Sequence, residues 1–333
     1  MDSETLEMYG GFALMVQSKM PDRTHFTSAS ELVGLFCRIG SNAIYTTDNT
    51  MAVTGVALYA NPASTLNHSC APNAVIAFRG RRLALRAAAA IPKGDQVRVA
   101  YTDLTLGTPA RVAELWKRYQ FICRCPRCEW FTKNMSLDAP PPQMSSVGCG
   151  ACGAEVAFSA ADAQPPACAR CGERVSNWLT VDGDASALLA VVGDKDAATD
   201  ALVDAVTRLG AMRHPMYLSA VSAAIEAITP RSEPKVIRDL GTRLIAAYEA
   251  SFPWHPVLAN ELFCQAKLCM QLDSDTRAGA LAMMQRACLL LEKVYGSDDP
   301  TAKEAAELVV ELQHDIQLEK SMEKPKQARI SPY

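Results

Sequence analysis

The sequence predicts an α+β protein built of three parts in series. Three observations predict this. Short β-leaning segments, separated by Gly, Pro and Asn, fill residues 52–101. Seven of the twelve cysteines crowd between residues 123 and 171. From about residue 183 to 320, Ala, Leu, Glu and Lys dominate, with short Pro- and Asp-containing interruptions. The expected divisions are 1–130 for the mixed N-terminal unit with its cysteine cluster, 145–180 for a small zinc-ribbon-like insert, 183–322 for an all-α region of helical repeats, and 323–333 for a polar, disordered tail.

The elements follow in chain order. Residues 1–45 read as helical. Ser28-Ala29-Ser30-Glu31 has the form of a capping box, and Leu32, Leu35, Phe36 and Ile39 follow at helical spacing. The stretches VTGVALY, NAVIAF, RRLALRAAA and DQVRVAY read as strands. Arg79-Gly80-Arg81 predicts a hairpin turn and Pro92-Lys93-Gly94-Asp95 another turn. Thr108-Pro109 opens a helix over TPARVAELWKRY, with Pro at its first position. The C-terminal helices break at RHP, TPRSEP, SFPWHP, LDSD and YGSDDP, a rhythm that suits antiparallel pairs of a helical array.

Composition narrows the function. A length of 333 residues and 49% hydrophobic content allow two or three domains with ample core. A formal net charge of −3 gives no global case for nucleic acid or an acidic membrane. No apolar run approaches a membrane span, and MDSETLEMYGG lacks the form of a secretory signal. The expected setting is intracellular, nuclear or cytoplasmic, where crowded cysteines mean metal rather than disulfides.

Two constellations carry that reading. Cys149-x-x-Cys152 and Cys168-x-x-Cys171 form paired knuckles, each followed by a glycine, Gly153 and Gly172. Four thiolates enclose a tetrahedral zinc and leave no open position, so the site is expected to be structural. Cys123-x-Cys125-x-x-Cys128 supplies only three. Cys70 is the best unassigned fourth ligand; the alternative is a small buried apolar residue.

Together NHSCAPNA, GDQVRVAYTDL and FICRCPRC resemble the C-terminal half of the SET domain of protein lysine methyltransferases. The loop LYANPASTLNHSC, the tight CxCxxC and the helical C-terminal region make the SET-and-MYND subfamily the nearest resemblance. It covers roughly residues 30–320. YEASFPWHP and LEKVYGSDDP look like that subfamily's tetratricopeptide-like domain. The resemblance implies a partial SET β-fold with a post-SET zinc site and an S-adenosylmethionine-dependent protein-lysine N-methyltransferase. Two structural zinc ions are implied, one on Cys70, Cys123, Cys125 and Cys128, the other on Cys149, Cys152, Cys168 and Cys171. The substrate is a protein or peptide presenting a lysine, and partner proteins are expected on the helical region. Direct nucleic-acid binding is not expected, since only Arg170 and Arg174 add basic charge near the second cysteine set.

The resemblance also implies roles for single residues. Asn67 and His68 match the cofactor-contacting Asn-His, and Asn42 in GSNAIY matches a cofactor-binding Asn. Tyr101 matches the catalytic tyrosine, which also lines the substrate channel. Tyr59 matches a channel-lining aromatic, and Phe121 an aromatic of the cofactor pocket. The chemistry fits these residue types. Lysine has an ordinary pKa near 10.4, and a narrow apolar channel beside a cation favours its neutral, nucleophilic form. Aromatic walls stabilise cationic groups, and a hydroxyl at the channel base can orient the amine.

The sequence departs from the family in two places. The family's N-terminal Gly-x-Gly strand turn and its MYND zinc module have no counterpart here, where only Cys37 and His25 precede His68 and Cys70. Two expectations follow. The chain is an incomplete form of a working enzyme, or it is a catalytically degenerate scaffold that binds partner proteins through its helices. Asn67, His68, Tyr59, Tyr101 and Phe121 standing together favour the first.

Overall fold

The computed structural model describes residues 3–20, 28–48, 53–60, 62–159, 161–194, 196–229, 233–272 and 277–327. Two helices open it, α1 (Ser3–Lys19) and α2 (Ala29–Asn42), packed on each other through Tyr9 and Phe36, whose rings lie 5.7 Å apart. Ser28 caps α2, its hydroxyl accepting from the Glu31 N–H at 3.2 Å. Leu32 is buried, while Ile39, expected on the same face, is exposed.

The chain turns to strand sooner than expected. Ile-Tyr-Thr-Thr, β-branched and aromatic, forms β1 (Ile44–Thr47) directly after α2 and pairs antiparallel with β2 (Val53–Ala57). Next comes β3 (Asn67–His68), then the antiparallel hairpin of β4 (Ala74–Arg79) and β5 (Arg82–Ala87). Gly80 takes φ 57° at the hairpin tip, the conformation that primed two-residue loops demand. The turn at Pro92–Asp95 closes with Asp95 N–H on the Pro92 carbonyl and Gly94 at φ 100°. It leads to β6 (Arg98–Val99), which runs parallel to β3, with Asn67 opposite Arg98 and His68 opposite Val99.

Helix α3 (Thr108–Tyr119) buries Thr108, Arg111, Val112 and Leu115, and ends where Gln120 adopts a left-handed φ of 58°. That reversal sends Phe121 and the CxCxxC turn back beneath β3. The short α4 (Glu129–Thr132) follows. Strands β7 (Ser145–Gly148) and β8 (Glu155–Phe158) form an antiparallel ribbon with a small core of its own, Val147, Val156 and Phe158.

The remainder is helical: α5 (Trp178–Gly193), α6 (Thr199–Ala211), α7 (Tyr217–Ile228), α8 (Pro234–Ser251), α9 (Pro256–Leu272), α10 (Arg277–Tyr295) and α11 (Pro300–Gln327). Each packs on the next, and α10 also touches β4 and β5. The helices begin at residue 178, before the expected 183. The tail expected to be disordered from 323 is helical as far as Gln327; Glu323, Lys324, Lys326 and Gln327 are good helix formers and continue α11 across Pro325. Residues 328–333 lie outside the described residues.

Candidate active site and metal centres

The parallel β3–β6 pair organises the site, because it sets His68 beside the end of β6 and the start of the segment after it. His68 Nδ1 accepts the Tyr101 backbone N–H at 2.9 Å. The ring proton therefore sits on Nε2, which stands 3.1 Å from Cys70 Sγ. One imidazole thus joins the Tyr101 backbone to the first cysteine cluster. The side chains form a continuous aromatic row. His68 lies 5.3 Å from Tyr101 and 5.9 Å from Phe121, and Tyr119 lies 5.0 Å from Tyr101 and 6.4 Å from Phe121. The Tyr101 hydroxyl donates to the Leu66 carbonyl. Burial raises the pKa of Tyr101, and burial likewise raises that of Tyr119, so both phenols stay protonated at neutral pH.

Tyr101 and Tyr119 face a cavity of about 380 Å³, bounded also by Asn42, Leu66, Glu114 and Arg118. Its volume falls in the roughly 300–1,000 Å³ range of small-molecule pockets. The Arg118 guanidinium lies 4.9 Å from the Tyr45 ring centre and 5.1 Å from that of Tyr119, and donates to the Ala43 carbonyl at 3.1 Å. Glu114 accepts from the Thr102 hydroxyl. Asn42 is exposed at the end of α2, its amide turned back on the Arg38 carbonyl at 2.8 Å.

The structure brings together Asn42 and Tyr101 at this cavity, with His68 and Phe121 behind Tyr101. Asn67 is exposed on β3 and does not line the cavity. Tyr59 is separate: its hydroxyl donates to the Arg81 carbonyl at 3.0 Å, and it borders a neighbouring cavity. Phe78, 6.1 Å from the Tyr59 ring, borders both cavities and stands between Tyr59 and Tyr101. Sequence reasoning missed Leu66, Glu114, Arg118 and Tyr119. Tyr119, two residues before Phe121, carried the one signal available: a second aromatic at the end of a helix that leads into the cysteine turn.

Both cysteine sets assemble as expected. Cys70, Cys123, Cys125 and Cys128 are all buried, with sulfurs mutually within 4.8 Å. The same limit holds for Cys149, Cys152, Cys168 and Cys171. In the second set, Cys149 and Cys171 sulfurs are 3.7 Å apart, and those of Cys152 and Cys168 are 3.6 Å apart. A zinc–sulfur bond of about 2.3 Å places tetrahedral sulfurs about 3.8 Å apart, so the donor set fits zinc. Gly153 and Gly172, at φ 71° and 76°, turn each knuckle so that their N–H groups return to the Cys149 and Cys168 carbonyls.

In the first set, mutual hydrogen bonding splits the proton affinities. It lowers Cys123 most; Cys125, raised by Cys123 but lowered more by Cys128 and Cys70 together, also falls, while Cys70 and Cys128 rise. Four buried thiolates this close need a divalent cation to be charged together. Thr132, fully buried, lies with its hydroxyl 2.9 Å from the Cys123 carbonyl and 3.1 Å from that of Cys128, and braces the turn.

A SET-domain family profile matches residues 9–102, a span that begins inside α1 and takes in α2. Those residues are similar to a SET domain. It is similar to an N-lysine methyltransferase SMYD2-A of Xenopus laevis, 30% identical over 134 residues, which cover 40% of this chain and 31% of that protein. It is similar to the Homo sapiens histone-lysine N-methyltransferase SMYD3, 31% identical over 126 residues, covering 38% and 29%. The SET domain and MYND-type zinc finger protein 6 of Schizosaccharomyces pombe is 34% identical over 117 residues, covering 35% and 24%. The chain thus spans under a third of the length of these relatives. Beyond the SET match, the cysteine sets and helical C-terminal region complete a mixed fold. No helix among the described residues is long and apolar enough to cross a membrane.

Proposed function

We propose that this chain is, or is part of, an S-adenosylmethionine-dependent protein-lysine N-methyltransferase. The observation that carries the reading is the Tyr101 arrangement, in which a protonated phenol faces a cavity while its backbone is tied through His68 to a four-cysteine cluster. S-adenosylmethionine, when bound, supplies a methyl group on a positively charged sulfur. Asn42, Glu114 and Arg118 offer the polar groups for its amino-acid end, and Tyr101 and Tyr119 offer aromatic faces to its cation. Asn67 and His68 act from β3, His68 by holding Tyr101 in register. Phe121 backs the aromatic row. Tyr59 lines the lysine channel from the far side of Phe78.

Because the Tyr101 O–H is spent on the Leu66 carbonyl, its oxygen lone pairs are free to accept from the incoming amine. Low polarity around the amine favours its neutral form, whose lone pair would take up the methyl carbon as the carbon–sulfur bond breaks and a neutral thioether leaves. The two cysteine sets hold structural zinc, since neither leaves a ligand position open.

We also read residues 1–130, 145–180 and 183–322 as separate units, the last tetratricopeptide-like. Its successive packed helices favour a concave surface for partner proteins or for the protein that presents the lysine.

The test is calorimetric titration with S-adenosylmethionine, followed by methyl transfer to a panel of lysine peptides. Tyr101→Phe is expected to keep the fold and both metals, lose about 1 kcal/mol of stability with its hydrogen bond, and abolish transfer. Absence of cofactor binding at millimolar concentration would remove catalysis from this chain.

A further inference from the structure

The first cysteine cluster has a buried cation beside it. Arg111, on the inner face of α3, has no solvent exposure and is the largest fully buried side chain among the described residues. Its guanidinium donates to the Leu106 carbonyl, to Thr108 Oγ1 at 2.9 Å and to Cys128 Sγ at 3.7 Å. Its Nε has no partner. Among the described residues no carboxylate pairs with it, and the groups it faces are the Cys70 and Cys128 sulfurs, which a bound divalent metal would hold as thiolates.

A buried charge is costly unless it is paired. A divalent metal held by four thiolates keeps an excess of two negative charges, also buried. The two problems offset each other. The side chain is aimed as well as placed. Glu155 on β8 accepts from both the Thr108 N–H and the Thr108 hydroxyl, each at 2.6 Å. The Thr108 proton is therefore committed to Glu155, and its oxygen presents a lone pair to Arg111. This fixes the guanidinium on the cluster side. Arg127, the other nearby arginine, donates to the Cys70 carbonyl at 3.4 Å and lies over the Phe252 ring.

We propose that Arg111 is the outer-sphere cation of the first metal centre, a positioning residue that donates to the Cys128 thiolate and sets the electron-donating strength of that sulfur. The proposal rests on the reading that this cluster holds a divalent metal. Removing the guanidinium raises the donor strength of Cys128 and leaves the cluster's excess charge uncompensated. Outer-shell substitutions of this kind weaken metal binding by about 10- to 100-fold.

The experiment uses the full chain, as Arg111→Met and Arg111→Lys, loaded with zinc and separately with cobalt(II). Elemental analysis counts the metals, and release to a chromogenic chelator follows their loss. The expected result is two metals in the parent. In Arg111→Met, one is released about 10- to 100-fold faster and the other at the parental rate. Arg111→Lys, which keeps the charge, is intermediate. The cobalt form of Arg111→Met shows its sulfur-to-metal charge-transfer bands moved to longer wavelength, because an undonated thiolate is easier to oxidise. A loss of packing alone would not shift them that way. Parental release rates and bands in Arg111→Met would overturn the proposal, as would equal damage from Met and Lys. A parent chain with no metal on the first cluster would overturn the metal reading and the proposal with it.

Discussion

Replacing Cys70 by Ser removes one sulfur from the first cluster and unpins residue 70 from the 123–128 turn. Fifty-three positions separate Cys70 from Cys123. A cross-link closing a loop of that length is worth about 4 kcal/mol in the chain-entropy treatment. Other contacts hold part of the loop without metal. Strand β3 pairs with β6, and Asn73 bridges to the Gln96 carbonyl at 2.9 Å and the Arg98 N–H at 2.8 Å. The expected loss is therefore about 2–4 kcal/mol, felt first where His68 leans on Cys70. Local opening of residues 66–74 should become more frequent by about 30- to 1,000-fold, which hydrogen-exchange mass spectrometry reads directly. Elemental analysis should find one zinc where the parent has two. Cys149→Ser serves as the comparison: it should also lose one zinc, yet leave exchange at 66–74 unchanged, because its cluster sits in the β7–β8 ribbon. A Cys70→Ser chain that keeps two zinc ions, or loses one with parental exchange at 66–74, would refute the reasoning.

Two further predictions concern the scaffold. A methyl group on Gly148 would stand 2.3 Å from the Arg213 carbonyl oxygen and 2.9 Å from that of Met212, and backbone cannot swing aside. Gly148→Ala should cost about 1–3 kcal/mol and lower Tm by about 2–12 °C; an unchanged melt would contradict the close approach of ribbon and helices. Burial pushes the His255 imidazole down to about 4, against a weak opposing pull from Asp103, and its Nδ1 accepts the Val257 N–H at the start of α9. The unfolded chain, with an ordinary value near 6.5, takes up the proton first as pH falls, so stability is intact above about 6.5 and lost between there and about 4, by up to about 3 kcal/mol. His255→Asn keeps an acceptor for Val257 but does not titrate, so its Tm should fall less than the parent's between pH 7 and 5. Equal acid sensitivity would show that other groups govern it.

Much of this protein is written locally. Ser28 and Glu31 mark the start of α2 because a cap is a bond between residues three apart. Gly80 and Gly94 mark their turns because few other residues tolerate positive φ. The interruptions at RHP, SFPWHP and YGSDDP fall where Pro and Asp end a helical pattern, while most of TPRSEP and LDSD lies outside the described residues. The paired CxxC knuckles point to a metal because each spacing brings two sulfurs to one side of a turn, and two such turns make a set of four.

What the sequence could not decide is which distant residues meet. Tyr59 and Tyr101 read alike as aromatics of one channel, yet Phe78 stands between them. Ile44 and Tyr45 read as the end of a helical segment, yet with Thr46 and Thr47 they form a strand because β2 offers a partner. Leu66, Glu114, Arg118 and Tyr119 are ordinary residues of a loop and a helix, and only the meeting of α3 with the segment after β6, through Glu114 on Thr102 and Tyr119 on Tyr101, turns them toward one cavity. Arg111 is the clearest case. By type it belongs on the surface, and helical spacing alone does not bury a charge. Its place inside depends on Cys70 and Cys128, drawn from two segments of the chain, meeting at the end of its side chain. Composition and spacing determined the element types and the CxCxxC and paired CxxC turns, which depend on neighbours in sequence. The tertiary structure determined the cavity and its buried charge, because those depend on electrostatics and packing between segments that only folding brings together.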